Sequence, residues 1–165
     1  MFLPSASQQI LFECFYINFA WGYSHSGFFI DYEGRVMTYS LSGFGSEANE
    51  LSDAWNFPDA QGNISEQALM ENVQKTTDSN ALIDQRTLKK YVDKIYLVKE
   101  NSYTEYQQGA DMGAYVYACY KYNENTGTYK QITLMQEGDW IKKNNNTYAK
   151  QISEWLQSIR KDQQQ

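Results

Sequence analysis

From Gly113 to Gln136 the chain reads GAYVYACYKYNENTGTYKQITLMQ, alternating with a period of two. Successive side chains of a strand point to opposite faces, so this predicts a hairpin. Ala114, Val116, Ala118 and Tyr120 share one face of its first strand; Tyr115, Tyr117, Cys119 and Lys121 share the other. Small side chains on the first face are expected to let a helix pack close. Glu124-Asn125-Thr126-Gly127 supplies the turn, and Ile132 and Leu134 share a face of the second strand.

Ile10–Ala20, ILFECFYINFA, is apolar on both faces and reads as a central strand. Ile10, Phe12, Cys14 and Tyr16 lie on one side; Leu11, Phe15, Ile17 and Phe19 lie on the other, which Glu13 interrupts. Trp21–Gly27, WGYSHSG, reads as a loop. A second hairpin is expected with strands at 28–31 and 35–41 around Tyr32-Glu33-Gly34.

The period then lengthens. Ser46 is the expected cap of a first helix carrying Leu51, Ala54 and Trp55, and DAQG (59–62) is a loop. Asn63 with Glu66 suggests a capping box for a second helix through Leu69, Met70 and Val73. Residues 76–80 read as a loop. Asp84 caps a third helix with the stripe Leu88, Tyr91, Val92 and Ile95. The polar stretch 102–113 reads as a loop. The last helix, about 147–161, carries Tyr148, Ile152, Trp155, Leu156 and Ile159. Strands segregated from helices predict one α+β domain over 1–165. Its antiparallel sheet would have about five strands, with helices mainly on one face and loose ends at 1–8 and 162–165.

Charge narrows the partners. The net charge is −6 and the pI about 4.8. Nucleic-acid binding needs a Lys/Arg patch, so none is expected. No apolar run is long enough to span a bilayer. No Gly-rich phosphate loop or metal-ligand spacing occurs, so no cofactor is expected. Cys14 and Cys119 read as two buried thiols, with a disulfide between them as the alternative in an oxidising compartment.

Asn18-Phe19-Ala20-Trp21-Gly22-Tyr23, His25-Ser26-Gly27 and Ile30-Asp31-Tyr32-Glu33-Gly34-Arg35-Val36 resemble the opening of uncharacterised small bacterial secreted or lipoprotein domains. The resemblance covers the first forty residues. It implies an extracytoplasmic location, against a cytoplasmic alternative, and those domains have no assigned activity to carry over.

Composition adds an excess of aromatics, 16% of residues. Trp21, Tyr23, Phe44, Trp55, Phe57, Tyr103 and Tyr106 fall in or beside expected loops, with His25 among them. Gathered on one rim they would bind a protein, peptide or carbohydrate; otherwise they seal the helices against the sheet. The first functional reading is therefore a non-catalytic binding domain. The second is an acidic inhibitor or immunity-type protein that neutralises a basic partner. The third is a hydrolase using His25, the single histidine, or a pair among Asp31, Glu33, Glu47, Glu50, Asp53 and Asp59.

Overall fold

The computed structural model describes residues 7–164. The fold is α+β, and all strand pairs are antiparallel. The strands are β1 (Ile10–Asn18), β2 (Tyr23–Asp31), β3 (Arg35–Gly43), β4 (Asn63–Ser65), β5 (Thr77–Leu82), β6 (Tyr103–Gln107), β7 (Ala114–Asn123), β8 (Thr128–Gly138) and β9 (Trp140–Asn144). The helices are α1 (Ser46–Ala54), α2 (Glu66–Val73), α3 (Gln85–Ile95) and α4 (Thr147–Gln163). The sheet runs β5-β3-β2-β1-β7-β8-β9-β6, with β4 also paired to β8. The apolar run 10–18 is thus central.

Nine strands replace the expected five among the described residues. β1, β7 and β8 lie where alternation put them, and the second hairpin forms, but β2 begins at Tyr23, inside the segment expected to be the Trp21–Gly27 loop, and β3 runs on to Gly43. The additions are short and polar. β5 and β6 occupy segments expected to be loops, β9 follows β8, and β4 takes Asn63 and Ile64 out of the expected second helix. Ser65 caps that helix instead, accepting from the Ala68 N–H, so the Asn63 capping box does not form. Helix α1 has Gly45, not Ser46, at its cap position. Asp84 and Asn146 cap α3 and α4 through their side-chain oxygens.

The helices cover both faces of the sheet, not mainly one. Leu88 and Ile95 of α3 and Ile152, Leu156 and Ile159 of α4 pack on Phe12, Cys14, Phe28, Ile30, Tyr117 and Cys119. On the opposite face Leu69 of α2 and Trp55 pack with Phe29, Tyr39, Tyr120 and Tyr129. Helix α4 therefore sits on the Tyr117/Cys119 face of β7, not on the Ala/Val face. Cys14 and Cys119 are both buried free thiols on that helix-covered side.

The expected loose N-terminal end lies largely outside the described residues, but Gln8 is buried. Its amide donates to the Ile10 and Tyr120 carbonyls and its oxygen accepts from Tyr96 Oη. Of the expected C-terminal loose end, Asp162 and Gln163 belong to α4, and Gln165 is outside the described residues.

Trp155 sits at the centre of the α4 stripe, stacked on Tyr91 at 4.2 Å and edge-on to Phe12 at 5.1 Å. It is half-buried. Trp155→Ala is expected to cost about 2 kcal/mol in a urea melt, below the ~3–5 kcal/mol of a fully enclosed ring. A loss matching the enclosed value would mean that its exposed side is covered in solution.

Candidate functional site

A bulge in β1 aims the one acidic side chain of that strand. Ile10 pairs with Asp31 and Phe12 with Ile30, so Leu11 is the extra residue. Regular alternation after it sends Phe12, Cys14 and Tyr16 toward α4, and Glu13, Phe15 and Ile17 to the α2 face. Glu13 stands opposite Phe29 on β2 and Ala118 on β7. The small face of β7 leaves room for this carboxyl, not for a helix.

Three donors from three strands converge on Glu13. Tyr39 Oη–H on β3 donates to Oε2 at 2.5 Å. Tyr120 Oη–H on β7 donates to Oε1 at 2.5 Å, and Gln131 Nε2 on β8 donates to the same oxygen at 3.0 Å. Gln131 also donates to Tyr120 Oη at 2.9 Å, which ties the two donors together. Tyr39 belongs to a strand two away from β1. It reaches across because its β2 partner is Gly27, which has no side chain in the way. A Cβ at Gly27 would lie 2.3 Å from the Cys14 carbonyl oxygen and 2.7 Å from Phe15 Cβ. Gly27→Ala is therefore expected to cost about 1–3 kcal/mol through forced movement of β1. An unchanged denaturation midpoint would show that β1 gives way freely.

Glu13 is 3% exposed. Burial pushes its carboxyl up to about 7, against the pull of Tyr120, Tyr39 and Gln131 toward the ionised form. No Lys or Arg pairs with it among the described residues. The same burial holds both tyrosine hydroxyls well above their usual value.

His25 is in β2, buried at 1% exposure, and not in a surface loop. Burial lowers it to about 4, so its ring is neutral at pH 7. Its Nδ1 lies 2.7 Å from Tyr23 Oη and its Nε2 lies 3.4 Å from Tyr39 Oη. Tyr39 spends its only hydrogen on Glu13, so the consistent tautomer carries the proton on Nε2, with Tyr23 donating to Nδ1. A polar chain thus runs Tyr23–His25–Tyr39–Glu13–Tyr120. Five rings surround the imidazole: Phe15, Tyr23, Tyr39 and Trp55 edge-on at 5.5, 5.8, 5.1 and 5.0 Å, and Phe57 stacked at 5.9 Å.

Beside this chain lies a cavity of about 330 Å³, lined by Glu13, Phe15, His25, Trp55, Phe57, Tyr103, Tyr120, Gln131 and Thr133. Its outer wall is the segment after α1. Asn56 N–H donates to Asn72 Oδ1 at 2.9 Å, and Asn72 Nδ2 donates back to the Asn56 carbonyl at 2.8 Å. This reciprocal pair fixes Trp55 and Phe57 to α2. The next loop is closed by Asp59, whose carboxylate accepts from the Gln61 and Asn63 N–H groups. At Gly62 φ is +89°, and a Cβ there would lie 2.4 Å from the Gln131 carbonyl oxygen, so the loop lies against the site. Asp59, Glu100 and Lys142 stand among the outer lining.

Of the aromatics singled out from sequence, His25, Trp55, Phe57 and Tyr103 line this cavity, and Tyr23 backs it through His25. Trp21 and Phe44, each 75% exposed, lie together beside the β1–β2 turn. Tyr106 is exposed on β6. They form no single rim. Asp31 is spent on its turn, accepting from the Glu33 and Arg35 N–H groups and from Arg35 Nε. Sequence reasoning passed over Glu13, Tyr39, Tyr120 and Gln131. The one available signal was a carboxylate interrupting an otherwise apolar central strand.

Among the described residues no group of His, Cys, Asp and Glu has metal-holding geometry, and no helix is long and apolar enough to cross a membrane. Comparison with protein-family models, with curated proteins and with solved structures returned no match.

Proposed function

We propose that this chain is a binding domain for a small molecule, received in the cavity beside Glu13. One observation carries the reading. A buried carboxyl, held by three donors from separate strands, opens onto an aromatic-walled cavity of about 330 Å³. Apolar walls with a few converging polar groups are what small-molecule sites use. The hydrogen bonds to Glu13 offset the burial of a neutral carboxyl, but the ionised form has no counter-charge, and a bound ligand is one way to offset that cost.

The test is an NMR screen of small polar aromatic molecules against the full chain, repeated on Thr133→Phe. Thr133 is on β8 and lines the cavity, so the added ring occupies it. The reading expects hits that move the Trp55 indole resonance and that Thr133→Phe abolishes. Hits confined to the exposed Trp21 and Phe44 would contradict it and favour a protein-binding surface there.

A second reading, proton-transfer catalysis, is favoured by Glu13 titrating near neutrality. The same screen separates the two. A ligand recovered unchanged supports binding; a converted one supports catalysis.

A further inference from the structure

We propose that the ligand of the Glu13 cavity is a small organic cation: a protonated amine on an aromatic or apolar body, seated with an N–H on Glu13 Oε2. This rests on the binding reading and adds the chemical class.

The donor count on the carboxylate points to it. Oε1 accepts from both Tyr120 and Gln131, while Oε2 accepts from Tyr39 alone. A carboxylate oxygen has two acceptor positions, so Oε2 keeps one for an incoming donor. Three donors turned toward a carboxyl suit its ionised form. Yet the protein supplies no compensating cation. His25, linked to Glu13 through Tyr39, is neutral and engaged at both nitrogens. An unpaired buried charge is costly, and a ligand that brings the opposite charge removes that cost.

The walls suit the same class. Phe15, Trp55, Phe57 and Tyr103 present rings to the cavity, and ring faces attract ammonium groups. At the outer lining the charged groups are two acids and one base: Asp59, Glu100 and Lys142. Lys142 is already within 3.5 Å of Glu105 and 4.8 Å of the Tyr103 ring centroid. Lys130, 2.7 Å from Glu100, holds that carboxylate. An anion would meet Glu13 with no free cation facing it.

Binding is then tied to the proton on Glu13. The groups facing that carboxyl are His25 on β2, Tyr39 on β3, Tyr120 on β7 and Gln131 on β8. The two hydroxyls titrate far above neutrality and His25 well below it. Of these groups only Glu13 changes charge between pH 6 and 8, so a cation that needs it ionised expels its proton at pH 6 and finds almost none to expel at pH 8.

The experiment is titration calorimetry on the full chain with three probes: phenethylamine, its N,N,N-trimethyl form and 2-phenylethanol. Each is run at pH 6 and pH 8, in two buffers of different ionisation enthalpy. Phenethylamine is expected to bind about ten-fold more tightly at pH 8, releasing close to one proton at pH 6. The trimethyl form, lacking an N–H for Oε2, is expected to bind more weakly. Glu13→Gln, checked for an intact fold by circular dichroism, is expected to lose at least about ten-fold in amine affinity together with the pH dependence. Equal binding of 2-phenylethanol and the amine, with no proton released, overturns the cation assignment and leaves the binding site standing. So does a screen that yields only neutral or anionic ligands sensitive to Thr133→Phe. If no probe binds and no screened molecule reaches the cavity, the binding reading falls with it.

Discussion

Replacing Glu13 with Gln is expected to tilt the pH–stability profile, because in the wild type the Glu13 slope opposes that of His25. Two buried groups act in opposite senses. Glu13 rises from its ordinary 4.5 to about 7, so the folded state holds its proton more tightly than the unfolded chain. Its contribution is fully present below pH 4.5 and is lost as pH rises through about 7. His25 falls from 6.5 to about 4. Its contribution is present above pH 6.5 and is lost as pH falls through about 4. Each is worth about 3 kcal/mol at ~1.4 kcal/mol per tenfold change in proton affinity. Between pH 4.5 and 6.5 the folded state holds one more proton at Glu13 and one fewer at His25, so the slopes cancel. Glu13→Gln leaves the His25 slope alone. Wild type is therefore expected to gain about 3 kcal/mol on the variant between pH 7.5 and 4.5 in urea melts. Parallel curves would mean that Glu13 titrates like a surface carboxylate.

The largest loss of stability is expected on the opposite face of the sheet, from Phe12→Ala. Phe12 has no exposed surface and lies on the central strand, beneath the two long helices. Its ring meets Trp155 edge-on at 5.1 Å. Removing it takes away the apolar burial and leaves a cavity between α4 and the sheet. The cost is about 3–5 kcal/mol, roughly twice that of half-buried Trp155. A loss under about 1 kcal/mol would mean that the α4 layer repacks freely.

What alternation could reveal, it did. β1 and β7 carry apolar residues at every second position, β8 does so at Ile132 and Leu134, and α3 and α4 carry clear stripes, so their places are visible in the chain. The short strands TDSNAL, YTEYQ and WIKKN are polar because they lie at or near the sheet's margins, where one side of the backbone or side chains meets water. Their pairing is decided by partners far along the chain. His25 was hidden for a related reason. Its strand reads Tyr-Ser-His-Ser-Gly, and Ser and Gly look like loop residues although Gly27 is required where Tyr39 crosses β2.

The candidate site was legible in one residue. Glu13 is visible as a charge interrupting an apolar strand, though nothing local marks it as functional. Its partners Tyr39, Tyr120 and Gln131 come from 26, 107 and 118 residues away. Only the register of four strands brings them together, and a bulge at Leu11 decides which face they share. The aromatic surplus was visible too, but not its division between the cavity and the exposed pair Trp21 and Phe44.

The proposed site requires Glu13 to be a buried carboxyl without a counter-charge. A carbon-13 NMR titration of its side-chain carboxyl in the ligand-free protein reads that state directly. The expected midpoint is about 7. A midpoint at or below the ordinary 4.5 would show that water or a cation already compensates the charge, and would contradict the account.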